Sequence, residues 1–266
     1  MKERITKSLL LKKKQMKEKI TMMTAYDYPF ASILDKAGID IILIGDSLGM
    51  TVQGSENTLS VTLDEIIYHT KMVVRARKRS MVISDMPFMS FQVSIKDTLK
   101  NAGRVIKESG ADGIKLEDCG EIENKIKALT SEGIMVMGHL GFTPQSVHQI
   151  GGYKIRGKNK HEAELLIKKA VKLEKAGCFS LVLEMIPEEI SKKITNSVNI
   201  PTIGIGAGIN CDGQVLVMHD VLGLYMDESP KFSKKYADLK TISQNAVTKF
   251  IEEVKSGKFP EKIHSF

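Results

Sequence analysis

In the stretch GADGIKLEDC, residues 110–119, Lys115 and Glu117 stand two positions apart and alternate with Ile114 and Leu116. In an extended strand that spacing puts an ammonium and a carboxylate on one face, an arrangement that an apolar core resists. Other carboxylates occupy comparable places: Asp46 closes IDIILIGD (39–46), Asp85 stands in SMVISDMP (80–87) and Glu184 in FSLVLEM (179–185). Asp46, Asp85 and Glu117 gathered together would repel one another unless a cation neutralised them. Hard oxygen donors without a thiolate suit Mg2+ better than zinc. Any one of them could equally cap a following helix, but all three at the same strand-terminal position favour the metal.

Beside such a cation, Lys115 has a use if an anionic substrate group lies between the two, and Ser47, next to Asp46, offers a hydroxyl and an amide. Glu184, set in the apolar run LVLEM, suits a general base; its plainer reading is an ion pair with a lysine. His139 either stabilises an oxyanion or substrate carbonyl, or is a hydrogen-bonded structural histidine. Taken together these residue types fit an enolisable α-keto acid. The metal would chelate its keto oxygen and carboxylate, Lys115 would hold the carboxylate, and Glu184 would remove the proton beside the carbonyl to give a Mg2+-stabilised enolate. The electrophile is not identified by these residues.

What must position them is a recurring unit. Eight short apolar runs (20–27, 39–46, 80–87, 113–118, 133–140, 179–185, 200–208 and 214–220) alternate with amphipathic stretches. Parallel strands need such crossovers, and near-continuous apolar runs fit strands covered on both faces. Thr62 with Glu65 and Ser94 with Asp97 have the spacing of helix N-caps, Gly177 marks a helix stop, and Pro187 is placed as a first helical residue. The gap from Gly208 to Gln214 is too short for a helix. The runs close in Asp27, Asp46, Asp85, Glu117, His139, Glu184 and Asp220, and a barrel gathers such residues around one mouth. The expected fold is therefore α/β, a single (β/α)8 TIM barrel catalytic domain over residues 1–266 with an additional N-terminal helix. Lys115 and Glu117 would then not be buried in a core but would line its polar mouth.

Composition agrees. The 266 residues are 42% apolar and 27% charged, enough for one large core. No apolar run reaches the roughly 18 residues of a membrane span, and the start lacks a signal segment. Three scattered cysteines fit a reduced, cytoplasmic setting. The net charge of +7 comes largely from lysines near the ends, read as solvated helix faces rather than a nucleic-acid surface, since acidic residues are interspersed and no aromatic platform accompanies them. GIGAG lacks the long helix and acidic partner of a dinucleotide loop.

The motifs MTAYDYPFA, GDSLGM, VTLDEIIYHT, SDMPF, GADGIKLE, GHLGFTPQSVHQIGGYKIRGK, LVLEMIP and IPTIGIGAGINCDGQVLVMHD, in this order from about residue 20 to 225, resemble those of the ketopantoate hydroxymethyltransferase family. The resemblance implies a (β/α)8 fold, Mg2+, and transfer of a one-carbon unit from 5,10-methylenetetrahydrofolate to 3-methyl-2-oxobutanoate in pantothenate synthesis. It implies Asp46, Asp85 and Glu117 as metal ligands, Asp46, Ser47, Asp85 and Lys115 as keto-acid contacts, and Glu184 as proton acceptor. It also implies small-molecule partners only, with no nucleic acid or membrane, and a homo-oligomer of decamer size. Met89 and the loop at 51–60 depart from the family pattern on the pterin side. Two other readings are a Mg2+-dependent C–C lyase of the phosphoenolpyruvate/isocitrate lyase type, with Cys119 as its acid, and a polyanion-binding protein that is not an enzyme.

Overall fold

Alternate residues of the apolar runs pack into different cores, and that division closes the sheet. Ile114 and Leu116 share one core with Val136, Leu140, Leu181 and Leu183 and with the helix residues Ile126 and Leu129. Met22, Ile41, Leu43, Met81, Ile83, Met137, Val182, Ile203 and Val215 pack in another. The second set fills a barrel of eight parallel strands: β1 Ile20–Thr24, β2 Ile41–Ile44, β3 Met81–Asp85, β4 Gly113–Glu117, β5 Val136–Gly141, β6 Ser180–Glu184, β7 Thr202–Ile205 and β8 Gly213–Leu216. Neighbours pair in chain order, and β8 returns to β1. All eight expected strands are present, so the fold is a TIM barrel.

This computed structural model describes residues 3–224 and 230–266 and divides into two units, Met1–Val217 and Met218–Phe266. In the first unit, helices Tyr28–Ala37, Leu63–Ala76, Ile95–Arg104, Ile122–Ser131, Lys160–Ala176 and Glu188–Ser197 connect successive strands. Thr62 and Glu65 form the expected capping box, Ser94 accepts from the Asp97 amide, and Gly177 ends its helix in the left-handed conformation. Pro187 differs from expectation. Its ψ of 140 is extended, so it is the N-cap and the helix starts one residue later. Only a helix-free link joins β7 to β8, as the short gap predicts. The second unit holds helices Met218–Leu222 and Leu239–Lys255. Among the described residues no helix is long and apolar enough to cross a membrane, and Cys119, Cys178 and Cys211 are free.

The N-terminal helix, Lys7–Gln15, corrects one expectation. Leu10, with Leu9, Leu11 and Met16, is an expected apolar anchor of a Lys-rich helix, but Lys13 and Lys14 are not solvated. Leu10 is buried with Ile20, Met22 and Ile41, Lys13 Nζ lies 3.0 Å from Asp40 and Lys14 Nζ lies 2.8 Å from Asp212. Asp40, Asp112 and Asp212 each precede a strand and accept the backbone N–H of Thr21, Val82 and Thr202 on the neighbouring one. Basic side chains neutralise all three, with Arg79 also on Asp40, and Arg4 and Arg77 on Asp112. Much of the basic N-terminus thus closes the end of the barrel where the strands begin.

Candidate active site

The strand register assembles the other end. Asp85 on β3 pairs with Lys115 on β4, Glu117 on β4 with His139 on β5, and Gly141 on β5 with Glu184 on β6. Inward-facing residues two positions earlier are apolar (Ile83, Met137 and Val182), so a polar layer lies on an apolar floor. Asp46, Asp85, Lys115, Glu117 and His139 are each no more than 5% exposed. The sequence reading is corrected in one respect: Lys115 and Glu117 stand among polar groups at the strand ends, but they are buried there.

Lys115 Nζ lies 2.7 Å from Asp85 Oδ1 and 3.4 Å from His139 Nδ1. Asp85 Oδ2 accepts the Asp46 backbone N–H at 3.0 Å. Burial, and then the charges of Asp85 and Glu117, hold the Asp46 carboxyl well above the usual carboxylate range. Burial opposes the Lys115 ammonium, but Asp85, Glu117 and Asp46 outweigh it and raise its pKa. Ser47 faces the same region, its hydroxyl 2.7 Å from the buried Tyr26 hydroxyl.

Glu184 reaches this layer from the opposite side. Its Oε2 lies 3.1 Å from His139 Nε2, and His139 Nδ1 lies 3.6 Å from Glu117 Oε1. The partner of Glu184 is therefore a histidine, not the lysine of the plainer reading. Burial and Lys115 disfavour a charged His139, yet hydrogen bonding to Glu117 and Glu184 prevails and carries its pKa to about 9. Gly141 seats the β6 end: at its φ of +103 a Cβ would stand 2.1 Å from the Glu184 carbonyl oxygen, so only glycine permits this approach.

Two expected strand-end carboxylates lie elsewhere. Asp27 caps the helix Tyr28–Ala37, accepting from the Phe30 amide at 2.8 Å. Asp220 lies in the Met218–Leu222 helix of the second unit, beyond the end of β8. A residue the sequence reading missed is Gln145, buried on the Pro144–Ser146 turn after β5 and in contact with both Asp46 and Glu117. It stands inside the motif TPQSVHQIGG, whose length was visible but whose contacts were not. A cavity of about 330 Å³ adjoins it, lined by Leu59, Phe88, Gln92, Cys119 and His148, with Glu117 at its edge. Leu59, of the 51–60 loop, lines this cavity, whereas Met89 is not among its lining residues.

Among the described residues no three acidic or histidine groups converge as a ready-made metal cage. The donor set still fits a hard divalent ion. Asp46, Asp85 and Glu117 are three buried hard-oxygen donors, outnumbering the two cationic side chains beside them, Lys115 and His139.

The family model described as ketopantoate hydroxymethyltransferase matches residues 4–262. The chain is 52% identical over 266 residues to the 3-methyl-2-oxobutanoate hydroxymethyltransferase of Pelobacter propionicus, covering 100% of this chain and 98% of that protein. It is 52% identical over 264 residues to the corresponding protein of Carboxydothermus hydrogenoformans, covering 99% and 96%. Among solved structures, a phosphonopyruvate hydrolase in complex with oxalate and Mg2+ aligns with a TM-score of 0.62 at 11% identity, covering 97% of this chain and 92% of that one. A 2,3-dimethylmalate lyase of the PEP mutase/isocitrate lyase superfamily aligns at 0.59 and 15% identity, covering 96% and 89%. At such identities these structures share the fold alone.

Proposed function

The chain belongs to the ketopantoate hydroxymethyltransferase family, and from that premise we propose how its residues carry out the transfer to 3-methyl-2-oxobutanoate in the pantothenate pathway. The one-carbon donor is 5,10-methylenetetrahydrofolate, taken into the cavity beside Phe88 and His148. Asp46, Asp85 and Glu117 would hold Mg2+, which would supply charge neutralisation and Lewis-acid polarisation of a carbonyl. Lys115 binds the keto-acid carboxylate, and Asp46, Ser47 and Asp85 complete that binding surface. Glu184 takes the proton from C3, leaving the electron pair that forms the new carbon–carbon bond. His139 holds Glu184 in place from one nitrogen and faces Glu117 with the other.

One observation carries this reading. Strand register alone brings Asp85, Lys115, Glu117 and His139 into a single buried layer with the partly buried Glu184 beside it, and one imidazole separates the candidate base from the Glu117 carboxylate. The chain, 1–266, works as one catalytic domain in the cytoplasm and as a homo-oligomer of decamer size. The exposed apolar residues Ile242, Val247, Phe250, Ile251 and Val254 of the Leu239–Lys255 helix support the oligomer, since such a stripe favours burial against a neighbour. The test is exchange of the C3 hydrogen of 3-methyl-2-oxobutanoate with D2O. It proceeds with Mg2+ and no folate if proton removal is a separate half-reaction, and its absence under those conditions overturns the assignment. Native mass measurement tests the oligomer.

A further inference from the structure

Gln145 spans the gap between two carboxylates that come from different strands. Its side-chain Nε2 donates to Asp46 Oδ2 at 2.9 Å and to the Met86 carbonyl at 2.9 Å. Its Oε1 accepts from Gln92 Nε2 at 3.0 Å, and its backbone N–H donates to Glu117 Oε2 at 3.0 Å. The amide cannot usefully turn over, because a carbonyl and a carboxylate accept on one side while an NH2 donates on the other. The backbone is restrained as well. Pro144 fixes its own φ and holds Thr143 extended, and the turn closes through Ser146 N–H to the Thr143 carbonyl at 2.9 Å.

We propose that Gln145 is a positioning residue for the cation site, holding the Asp46 and Glu117 carboxyl groups at fixed places so that Mg2+ meets a preset pair of ligands. The inference rests on the Mg2+ reading of that cluster. Carboxylates brought this close repel one another, and without a tether their side chains are free to turn apart. Gln145 supplies donors to two of the three from a single restrained residue. The third is tied in through the Asp46 backbone N–H, which Asp85 accepts. Such outer partners typically set metal affinity by about 10–100-fold.

The experiment is Mg2+ titration of the full-length protein by calorimetry without substrate, comparing wild type with Gln145→Met. Methionine keeps the side-chain length and leaves the backbone N–H to Glu117 intact. The expected result is Mg2+ affinity weaker by roughly 10–100-fold in a protein that still melts cooperatively. C3 exchange in D2O, which needs no folate, should then fall at low Mg2+ and recover at saturating Mg2+. Wild-type affinity in a folded Gln145→Met overturns the proposal, as does a loss of exchange that Mg2+ cannot restore. If that variant does not fold, Gln92→Leu decides. It keeps Gln145 but removes the donor that orients its amide, and it is expected to weaken Mg2+ binding several-fold; unchanged affinity overturns the proposal. A wild-type protein that took up no Mg2+ would instead overturn the underlying cation assignment, and the wild-type titration separates that case from the others.

Discussion

Glu184 Oε2 and His139 Nε2 lie 3.1 Å apart, and the other nitrogen of the same imidazole faces Glu117. Replacing the carboxylate by an amide in Glu184→Gln keeps the shape but removes the base. Exchange at C3 and product formation are both expected to fall by about 10²–10⁴-fold. His139→Asn keeps the base and loses only its support, so a smaller loss of roughly 10–100-fold is expected. Exchange that survives in Glu184→Gln while transfer fails would move the base to another residue.

Lys115 has a partner already, the Asp85 carboxylate at 2.7 Å. Lys115→Met therefore acts twice. Loss of a charge-assisted contact to the keto-acid carboxylate, worth roughly 1.5–3 kcal/mol, should raise KM by one to two orders of magnitude. Leaving Asp85 buried without its cation should lower stability by about 3–5 kcal/mol. Steady-state kinetics and denaturant melts read the two effects separately. An unchanged KM would mean that Lys115 only balances the carboxylates.

Chelation is expected to abolish turnover, and Mg2+ to restore it. Asp85→Asn should raise the Mg2+ concentration needed for half-maximal rate by at least tenfold while the far-ultraviolet circular dichroism stays that of the wild type. Full activity in excess chelator would exclude the metal.

At the opposite end of the barrel, Asp35 and Asp40 have depressed pKa values. Burial works against each charge, but the Ser80, Arg79 and Lys78 amides hold Asp35 ionised, and Thr21, Lys13 and Arg79 hold Asp40. A carboxylate depressed in the folded state contributes stability above its unfolded pKa of about 3.9. It loses that contribution as pH falls through the folded value. Stability from this source should be level between pH 7 and 5 and decline below about pH 4. Asp40→Asn should be less stable at pH 7 and show a shallower acid decline; an identical acid profile would remove Asp40 from the account.

The eight strands were legible because parallel strands covered on both faces leave unbroken apolar runs, and the caps at Thr62, Ser94 and Gly177 obey local rules. Asp46, Asp85, Glu117 and Glu184 could be picked out because each interrupts or ends such a run. What stayed hidden depends on distance through space. Alternation shows that Lys115 and Glu117 share a face, but not that this face is dry. Lys13 and Lys14 look like surface lysines until Asp40 and Asp212 come to them from elsewhere in the chain. Asp27 and Asp220 sit where the pattern predicts, yet one caps a helix and the other lies beyond the barrel strands. Gln145 carries no charge and no periodic signal, and its contacts exist only once the loop after β5 returns over β2 and β4.

The apolar floor of Ile83, Met137 and Val182 beneath the polar layer has an electrical consequence. Mobile ions screen exposed charges over about 8 Å at physiological ionic strength and screen buried ones much less, and they do not enter an apolar floor. Surface pairs such as Arg104 with Asp64 weaken as salt rises, whereas the forces among Lys115, Asp85 and Glu117 hardly change.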